Sequence, residues 1–275
     1  MISAHHQLAK QIADLFAKLP EVEAVALAGS RGASLNTTDS ASDIDLYIYT
    51  RGEIPLEARR SIVEQSGGAS KLDLNLNYWG LGDEWINAPT GIEVDIVYFD
   101  RAWIEEQITR VMDQHLASMG YTTCFWHTIR QSTIFFDQHN WLTHLQQKCQ
   151  SEYPEALRRN IITLNHPVLR GIIPSYVFQI EKAVKRGDLV SINHRLAALF
   201  ASYFDIIFAI NRKLHPGEKR LVQFAVNNCK LLPSNMQADF DSILYLTKED
   251  MPNLPNRLNH LLDQLDVLLI NEGLL

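Results

Sequence analysis

This chain carries two short segments that decide its fold, LAGSRG at residues 27–32 and SDIDLYIY at residues 42–49. The first ends an apolar run, residues 25–28, that is typical of a buried strand. The second alternates, so that Asp43 and Asp45 share one face of a strand and its apolar residues share the other. Two adjacent carboxylates repel each other unless a cation lies between them. An oxygen-only pair of this kind suits Mg²⁺.

A glycine and a serine follow the first strand. Gly29 has no Cβ to block the approach of the backbone to a phosphate, and Ser30 offers a hydroxyl and an N–H group. The alternatives are a plain strand-to-helix turn for Gly29 and a helix cap for Ser30. Arg31 either steadies phosphate charge or is simply exposed. With the carboxylate pair, this turn predicts a site for a metal-bound nucleoside triphosphate.

A third carboxylate stands in a later strand, GIEVDIVYF at residues 91–99. Its alternation places Glu93 and Asp95 on one face. An acidic side chain within such an apolar strand is costly to bury without a partner such as a metal ion. We therefore expect Asp95 to lie beside Asp43 and Asp45 across a sheet.

The order of these features, Gly-Ser, a spacer of about a dozen residues, Asp-x-Asp and a later strand carboxylate, resembles the nucleotidyltransferase superfamily typified by DNA polymerase beta. Within it, the chain is similar to members that modify small molecules, such as the aminoglycoside and lincosamide nucleotidyltransferases. The resemblance covers residues 20–100. It implies Mg²⁺-dependent transfer of a nucleoside monophosphate from an NTP, with ATP favoured, to a hydroxyl group, with release of pyrophosphate.

The resemblance also implies roles for the carboxylates. Asp43 and Asp45 are expected to bind metal, and Asp95 is expected to bind a second metal ion or to act as the general base. Glu93 faces the same side and is the reserve candidate for the base. Its alternative is a solvent-facing strand residue.

Periodicity along the chain predicts an α+β fold. Residues 1–100 are expected to form the nucleotidyltransferase domain, a mixed β-sheet with flanking helices. We predict helices at 4–19 and 56–65, and strands at 22–28, 43–50, 71–78 and 92–99. A loop is predicted at 79–90, with its two tryptophans either offering stacking surfaces or anchored in the core. Residues 101–275 read as an all-α helical bundle that covers the substrate pocket.

Basic side chains gather around a predicted turn in the helical half, at residues 212–220. In a chain of net charge −7, this cluster is a candidate site for triphosphate or pyrophosphate. Lys213 and Lys219 are the predicted ligands. The alternative is a solvated charge cluster at a helix junction.

Composition narrows the class of partner. The net charge of −7 argues against a long nucleic-acid track, which needs a basic surface. Three widely spaced cysteines, without a disulfide or zinc pattern, are consistent with a reducing cytoplasm. The sequence shows neither a signal peptide nor a segment long enough to span a membrane, so we expect a cytoplasmic protein without a membrane partner.

Three other functions stay open at this point. The first is modification of a protein or a tRNA, as in toxin–antitoxin members of the superfamily. The second is RNA cleavage by an Arg-x(4–6)-His pattern, matched loosely by Arg159 and His166. The third is a non-catalytic nucleotide-binding regulator. The acceptor, with antibiotics among the candidates, the preferred base and a homodimeric state are likewise open.

Overall fold

The structure, a computed structural model, describes residues 3–28, 43–78 and 80–275. These residues form two compact units. The sheet unit holds the described residues up to Ile108 together with Thr128–Ser151. The helical unit holds Thr109–His127 and Glu152–Leu275. The observed class is α+β, as predicted.

The sheet unit is built on six strands among the described residues. The strands are β1 (Val22–Leu27), β2 (Ile44–Thr50), β3 (Ala69–Leu76), β4 (Gly82–Asn87), β5 (Glu93–Asp100) and β6 (Thr133–Asp137). Their order in the sheet is β3-β4-β5-β2-β1-β6. Strands β2 and β5 run parallel, and the other neighbours are antiparallel, so the sheet is mixed, as expected.

Two strands correct the sequence-based prediction. Strand β4 lies inside the segment 79–90, which was predicted to be a loop. It forms because alternate residues from Asp83 to Asn87 are buried when the strand pairs with β3 and β5. Strand β6 lies in the half that was predicted to be wholly helical, and it pairs with β1. The sheet unit therefore draws on residues well beyond position 100.

Two helices cover one face of the sheet, α1 (Ala4–Phe16) and α2 (Leu56–Gln65). Ser3 caps α1, because its hydroxyl accepts a hydrogen bond from the N–H group of His6 (3.2 Å). Apolar residues of α1 recur at helical spacing and are buried against the inward residues of β2 and β5. This layer leaves Asp45 and Asp95 on the opposite face. The unit also includes α5 (Trp141–Lys148), while α3 (Arg101–Met112) and α4 (Cys124–Gln131) each belong to both units.

The helical unit has its own core around α8 (Leu189–Ile210), whose second half is almost wholly buried. Asp188 caps this helix by accepting a hydrogen bond from the N–H group of Ser191 (3.0 Å). The other helices are α6 (Glu155–His166), α7 (Tyr176–Arg186), α9 (Leu221–Asn228), α10 (Met236–Leu244) and α11 (Leu254–Asn271). Within the described ranges, none of the helices has the combined length and apolar character needed to cross a bilayer.

Candidate active site

The pairing of the strands brings acidic residues into one row. Asp45 on β2 is the direct partner of Asp95 on the parallel strand β5. On the other side of β5, Glu84 is the partner of Asp95, and Asp73 is the partner of Glu84. Partners on neighbouring strands share a face and lie roughly 5 Å apart. We call these four residues the carboxylate row.

Asp95 is the most perturbed member of the carboxylate row. Burial raises its pKa to about 6, and the negative charges of Asp45, Glu84, Asp43 and Glu93 add to the increase, in that order. A carboxylate that is partly desolvated among like charges holds its proton more tightly than one in water. The same charges would favour a cation at this position.

Backbone pairing positions Asp45, and Asp43 is the residue directly before the same strand. Both residues are half-buried. The carbonyl oxygen of Asp45 accepts a hydrogen bond from the N–H group of Ala28 (2.9 Å), at the end of β1. Glu93 lies at the start of β5, opposite Ile86, and is exposed. Asp95 therefore belongs to the carboxylate row, and Glu93 lies outside it.

A buried polar network on the opposite face of the sheet holds β4 in place. The carboxylate of Asp83 pairs with the guanidinium of Arg59 (3.0 Å) and accepts hydrogen bonds from the N–H group of Asn75 (2.8 Å) and the hydroxyl of Tyr98 (2.6 Å). Arg59 also lies over the ring of Tyr98. These contacts connect α2, β3, β4 and β5. They fix β4 at Asp83, the residue directly before Glu84.

Glu84 is the site residue that sequence reasoning missed. It was assigned to a loop because glycines at 80 and 82 interrupt the segment. The alternation of Asp83, Trp85 and Asn87 was the available signal for a strand. Trp85 is only 3% exposed, so the core-anchored alternative is correct for this tryptophan. Residue 79 lies outside the described residues.

The predicted phosphate turn falls in a part of the chain that the structure does not describe. Gly29, Ser30 and Arg31 all lie outside the described residues, so their roles stay predictions.

The donor chemistry of the carboxylate row fits a magnesium ion. Mg²⁺ is usually bound through one or two carboxylates, with water and phosphate oxygens completing its coordination. Asp45 and Asp95, directly paired, provide such a pair. Among the described residues, no group of three or more histidine, cysteine or acidic side chains is arranged to hold a metal ion by itself. The assignment of Asp43, Asp45 and Asp95 to metal therefore stays a prediction.

The predicted phosphate lysines lie in the helical unit. Lys213 and Lys219 are both exposed, on the turn between α8 and α9. The turn is anchored by His215, which is fully buried. The N–H group of His215 donates to the Thr123 hydroxyl (2.7 Å), and its Nδ1 accepts from the N–H group of Gly217 (3.2 Å).

The residues of the proposed RNA-cleaving pattern have separate partners. Arg159 is largely exposed and pairs with Glu155 (3.4 Å). His166 ends α6 and its Nε2 lies 2.6 Å from Asp266 on α11. Nothing in these contacts joins the two side chains in one site.

Comparisons with known proteins gave matches of two kinds. A family described as a domain of unknown function (DUF4037) matches residues 123–221. No curated protein matches the sequence. Among solved structures, a nucleotidyltransferase-like protein from Exiguobacterium sibiricum 255-15 aligns at 13% identity over 97% of this chain and 76% of its own, with a TM-score of 0.46. An aminoglycoside 6-adenyltransferase from Bacillus subtilis aligns at 8% identity over 99% of this chain and 98% of its own, with a TM-score of 0.33.

Both solved structures bear names from the class that the sequence resembles. Their TM-scores lie below 0.5, so these likenesses assign no activity to this chain.

Proposed function

We propose that this chain is a Mg²⁺-dependent nucleotidyltransferase that moves a nucleoside monophosphate, AMP in the favoured case, from an NTP to a hydroxyl group of a small-molecule acceptor. The observation that supports this most directly is the parallel register that sets Asp45 beside Asp95. It joins the Asp-x-Asp segment to the later carboxylate on one face of the sheet. A neutral or basic row of residues at this register would have argued against the proposal.

The proposed reaction is an in-line displacement at the α-phosphorus. The acceptor oxygen forms a bond to this phosphorus, the bond to the β-phosphate oxygen breaks, and pyrophosphate leaves. Asp95 takes the proton of the acceptor hydroxyl, a role that suits a carboxylate whose pKa is raised towards neutrality. Bound Mg²⁺, held by Asp43 and Asp45, would supply charge neutralisation at the phosphate oxygens, and Asp95 would join them as a metal ligand if another group is the base.

Further residues are assigned to the nucleotide. Gly29 and Ser30 are proposed to hold a phosphate group through the backbone and the hydroxyl, with Arg31 steadying its charge. Lys213 and Lys219 are proposed as ligands of triphosphate or pyrophosphate, supported by their exposure and by the acidic character of the rest of the chain.

The acceptor is proposed to be a small molecule, with antibiotics among the candidates, because a net charge of −7 disfavours a long nucleic acid. The three cysteines are free thiols, which supports a reducing cytoplasm as the compartment. A homodimer is a further proposal, which gel filtration with light scattering tests.

The decisive experiment is a screen of NTPs against acceptors with Mg²⁺, with mass spectrometry to detect the gain of one nucleoside monophosphate. Aminoglycosides and lincosamides come first, and a protein and a tRNA preparation are included. Labelling of the protein or the tRNA would favour the toxin–antitoxin alternative. NTP binding without any product would favour a regulator.

Single substitutions then test the carboxylates. Asp45→Asn and Asp95→Asn should each reduce transfer by at least about 100-fold, since each removes a charge that the transition state requires. Glu93→Gln is the matched control and should retain activity within about tenfold. Transfer that survives Asp45→Asn would exclude the metal assignment, and loss in Glu93→Gln without loss in Asp95→Asn would move the base to Glu93.

A further inference from the structure

A group of aromatic side chains lies on the same face of the sheet as the carboxylate row. Tyr47 follows Asp45 by two residues on β2, and Phe99 follows Asp95 by four residues on β5. The rings of Tyr47 and Phe99 meet edge to face, with centroids 5.2 Å apart. Because side chains two and four residues apart share a face, these rings and the carboxylates belong to one surface.

The group ends in a tryptophan at the start of α3. The ring of Trp103 lies parallel to that of Phe99, with an interplanar angle of 1° and centroids 5.8 Å apart. Its backbone N–H group donates to the carboxylate of Asp100 (2.9 Å), which fixes the first turn of the helix. Trp103 is nevertheless 40% exposed. We call Tyr47, Phe99 and Trp103 the aromatic platform.

Buried neighbours on the same face pack against the aromatic platform and hold it rigid. Tyr49, fully buried, stacks on Phe99 at a centroid distance of 6.0 Å and meets Trp141 edge to face at 5.4 Å. Arg101, two residues before Trp103 on α3, has its charge paired with Glu23 (3.2 Å). The ring of Trp103, held against Phe99 and partly exposed, suits a flat ligand, because little freedom is lost on stacking.

We propose that the aromatic platform binds the base of the nucleotide substrate by stacking. This rests on the proposed function. The platform extends along β2 and β5 from Asp45 and Asp95, and Phe99 lies roughly 13 Å from Asp95 at the usual rise of a strand. With the α-phosphate at the carboxylates, an extended ribose directs the base along β2 and β5 towards these rings. The carboxylate row runs in a different direction, across the strands to Glu84 and Asp73, and so leaves a separate side of the site for the acceptor.

The mode of binding sets the expected selectivity. Stacking on an aromatic ring discriminates poorly between bases, because every base has a π-face. The platform should therefore accept both purines and favour them over pyrimidines through their larger stacking area. Replacing Trp103 should reduce that preference.

The test is isothermal titration calorimetry of the full chain with MgATP and, separately, with tripolyphosphate, which has the phosphates but no base. Trp103→Ala should weaken MgATP binding by at least about fivefold, the lower end of the range for base stacking, and should leave tripolyphosphate binding unchanged. Trp103→Phe should stay within about twofold of the wild type. Tyr245→Ala is the matched control, since Tyr245 is an exposed aromatic residue of the helical unit.

Each outcome separates the two proposals. A wild-type chain that binds no NTP would overturn the proposed function and the platform with it. If the wild type binds MgATP and the Trp103→Ala variant binds it equally well, the platform alone would be overturned. Equal weakening of MgATP binding and tripolyphosphate binding would also overturn base stacking. Circular dichroism of Trp103→Ala and Trp103→Phe establishes that both variants are folded.

Discussion

Arg59 and Asp83 form an ion pair whose side chains are each only 2% exposed, on the face of the sheet opposite the candidate active site. Arg59→Met would leave the carboxylate of Asp83 with the N–H group of Asn75 and the hydroxyl of Tyr98 but without a counter-charge. Removing one partner of a buried pair destabilises a protein by about 3–5 kcal/mol. We expect a loss of that size in the free energy of unfolding of the sheet unit.

A double-mutant cycle makes this prediction sharper. Asp83→Leu alone would leave the buried guanidinium of Arg59 without a counter-charge. It should also destabilise the sheet unit by about 3–5 kcal/mol. The variant that combines Arg59→Met with Asp83→Leu removes both charges of the pair. The N–H group of Asn75 and the hydroxyl of Tyr98 then lose their acceptor, at a cost of about 1–3 kcal/mol for each donor. The double variant should therefore be less destabilised than the sum of the single variants.

Hydrogen exchange measured on peptides covering residues 69–100 is the suitable assay, because it reports the stability of these strands separately from that of the helical unit. Lys10→Met is the surface control, since Lys10 and Asp14 form an exposed pair on α1 whose loss should change stability by no more than about 0.5 kcal/mol. A loss below about 1 kcal/mol in Arg59→Met, or an additive cycle, would refute the reasoning.

Other predictions concern a close backbone approach and two buried titratable groups. Gly82→Ala would place a Cβ 2.8 Å from the carbonyl oxygen of Ile96 and should destabilise the sheet unit by about 1–3 kcal/mol in urea titrations. Gly52→Ala is the control and should be neutral, because a Cβ there would have nothing within 4 Å. Equal effects of the two substitutions would contradict this reasoning. Burial raises the pKa of Asp205 to about 7, so its contribution to the stability of the helical unit should fall as the pH rises from about 4 through 7. Asp205→Asn should remove that decline, which amounts to roughly 3 kcal/mol between pH 5 and pH 8, in urea titrations at those two pH values. Burial, with a smaller effect of His127, lowers the pKa of His215 to about 3, so stability should fall as the pH drops from about 6.5 towards 3. His215→Gln should flatten this acid limb, and an unchanged limb would count against a buried neutral ring.

The two titrations have opposite signs between about pH 4 and 6.5. Asp205 favours the lower pH in that range and His215 favours the higher pH. The wild-type profile there is the difference of the two effects, so each effect is best seen in the single variants.

Local periodicity was enough to predict much of the sheet unit. Helix α2 was predicted with its observed bounds, and β2 and β5 were predicted to within one residue at each end. The alternation of apolar and acidic residues in β2 and β5 predicted the face that Asp45 and Asp95 share, because side chains in a strand alternate strictly.

Strands β4 and β6 were not predicted, and the reasons are physical. Gly82 resembles a loop residue, yet its lack of a side chain is what allows β4 to approach the backbone of β5. Strand β6 is five residues long within a largely helical segment, and it is stabilised by pairing with β1, more than a hundred residues earlier. A pairing at that separation leaves no local signal in the sequence.

The sequence by itself determined which residues carry charge and which face of each strand they occupy. Tertiary structure decided their neighbours. The parallel register sets Asp45 beside Asp95, the pairing of β4 adds Glu84, and Arg59 compensates the charge of Asp83 beneath them. Register and counter-charge depend on which strands and helices meet in space. The burial of whole faces of strands and helices determines which of them pack together, and no single segment of the sequence specifies this.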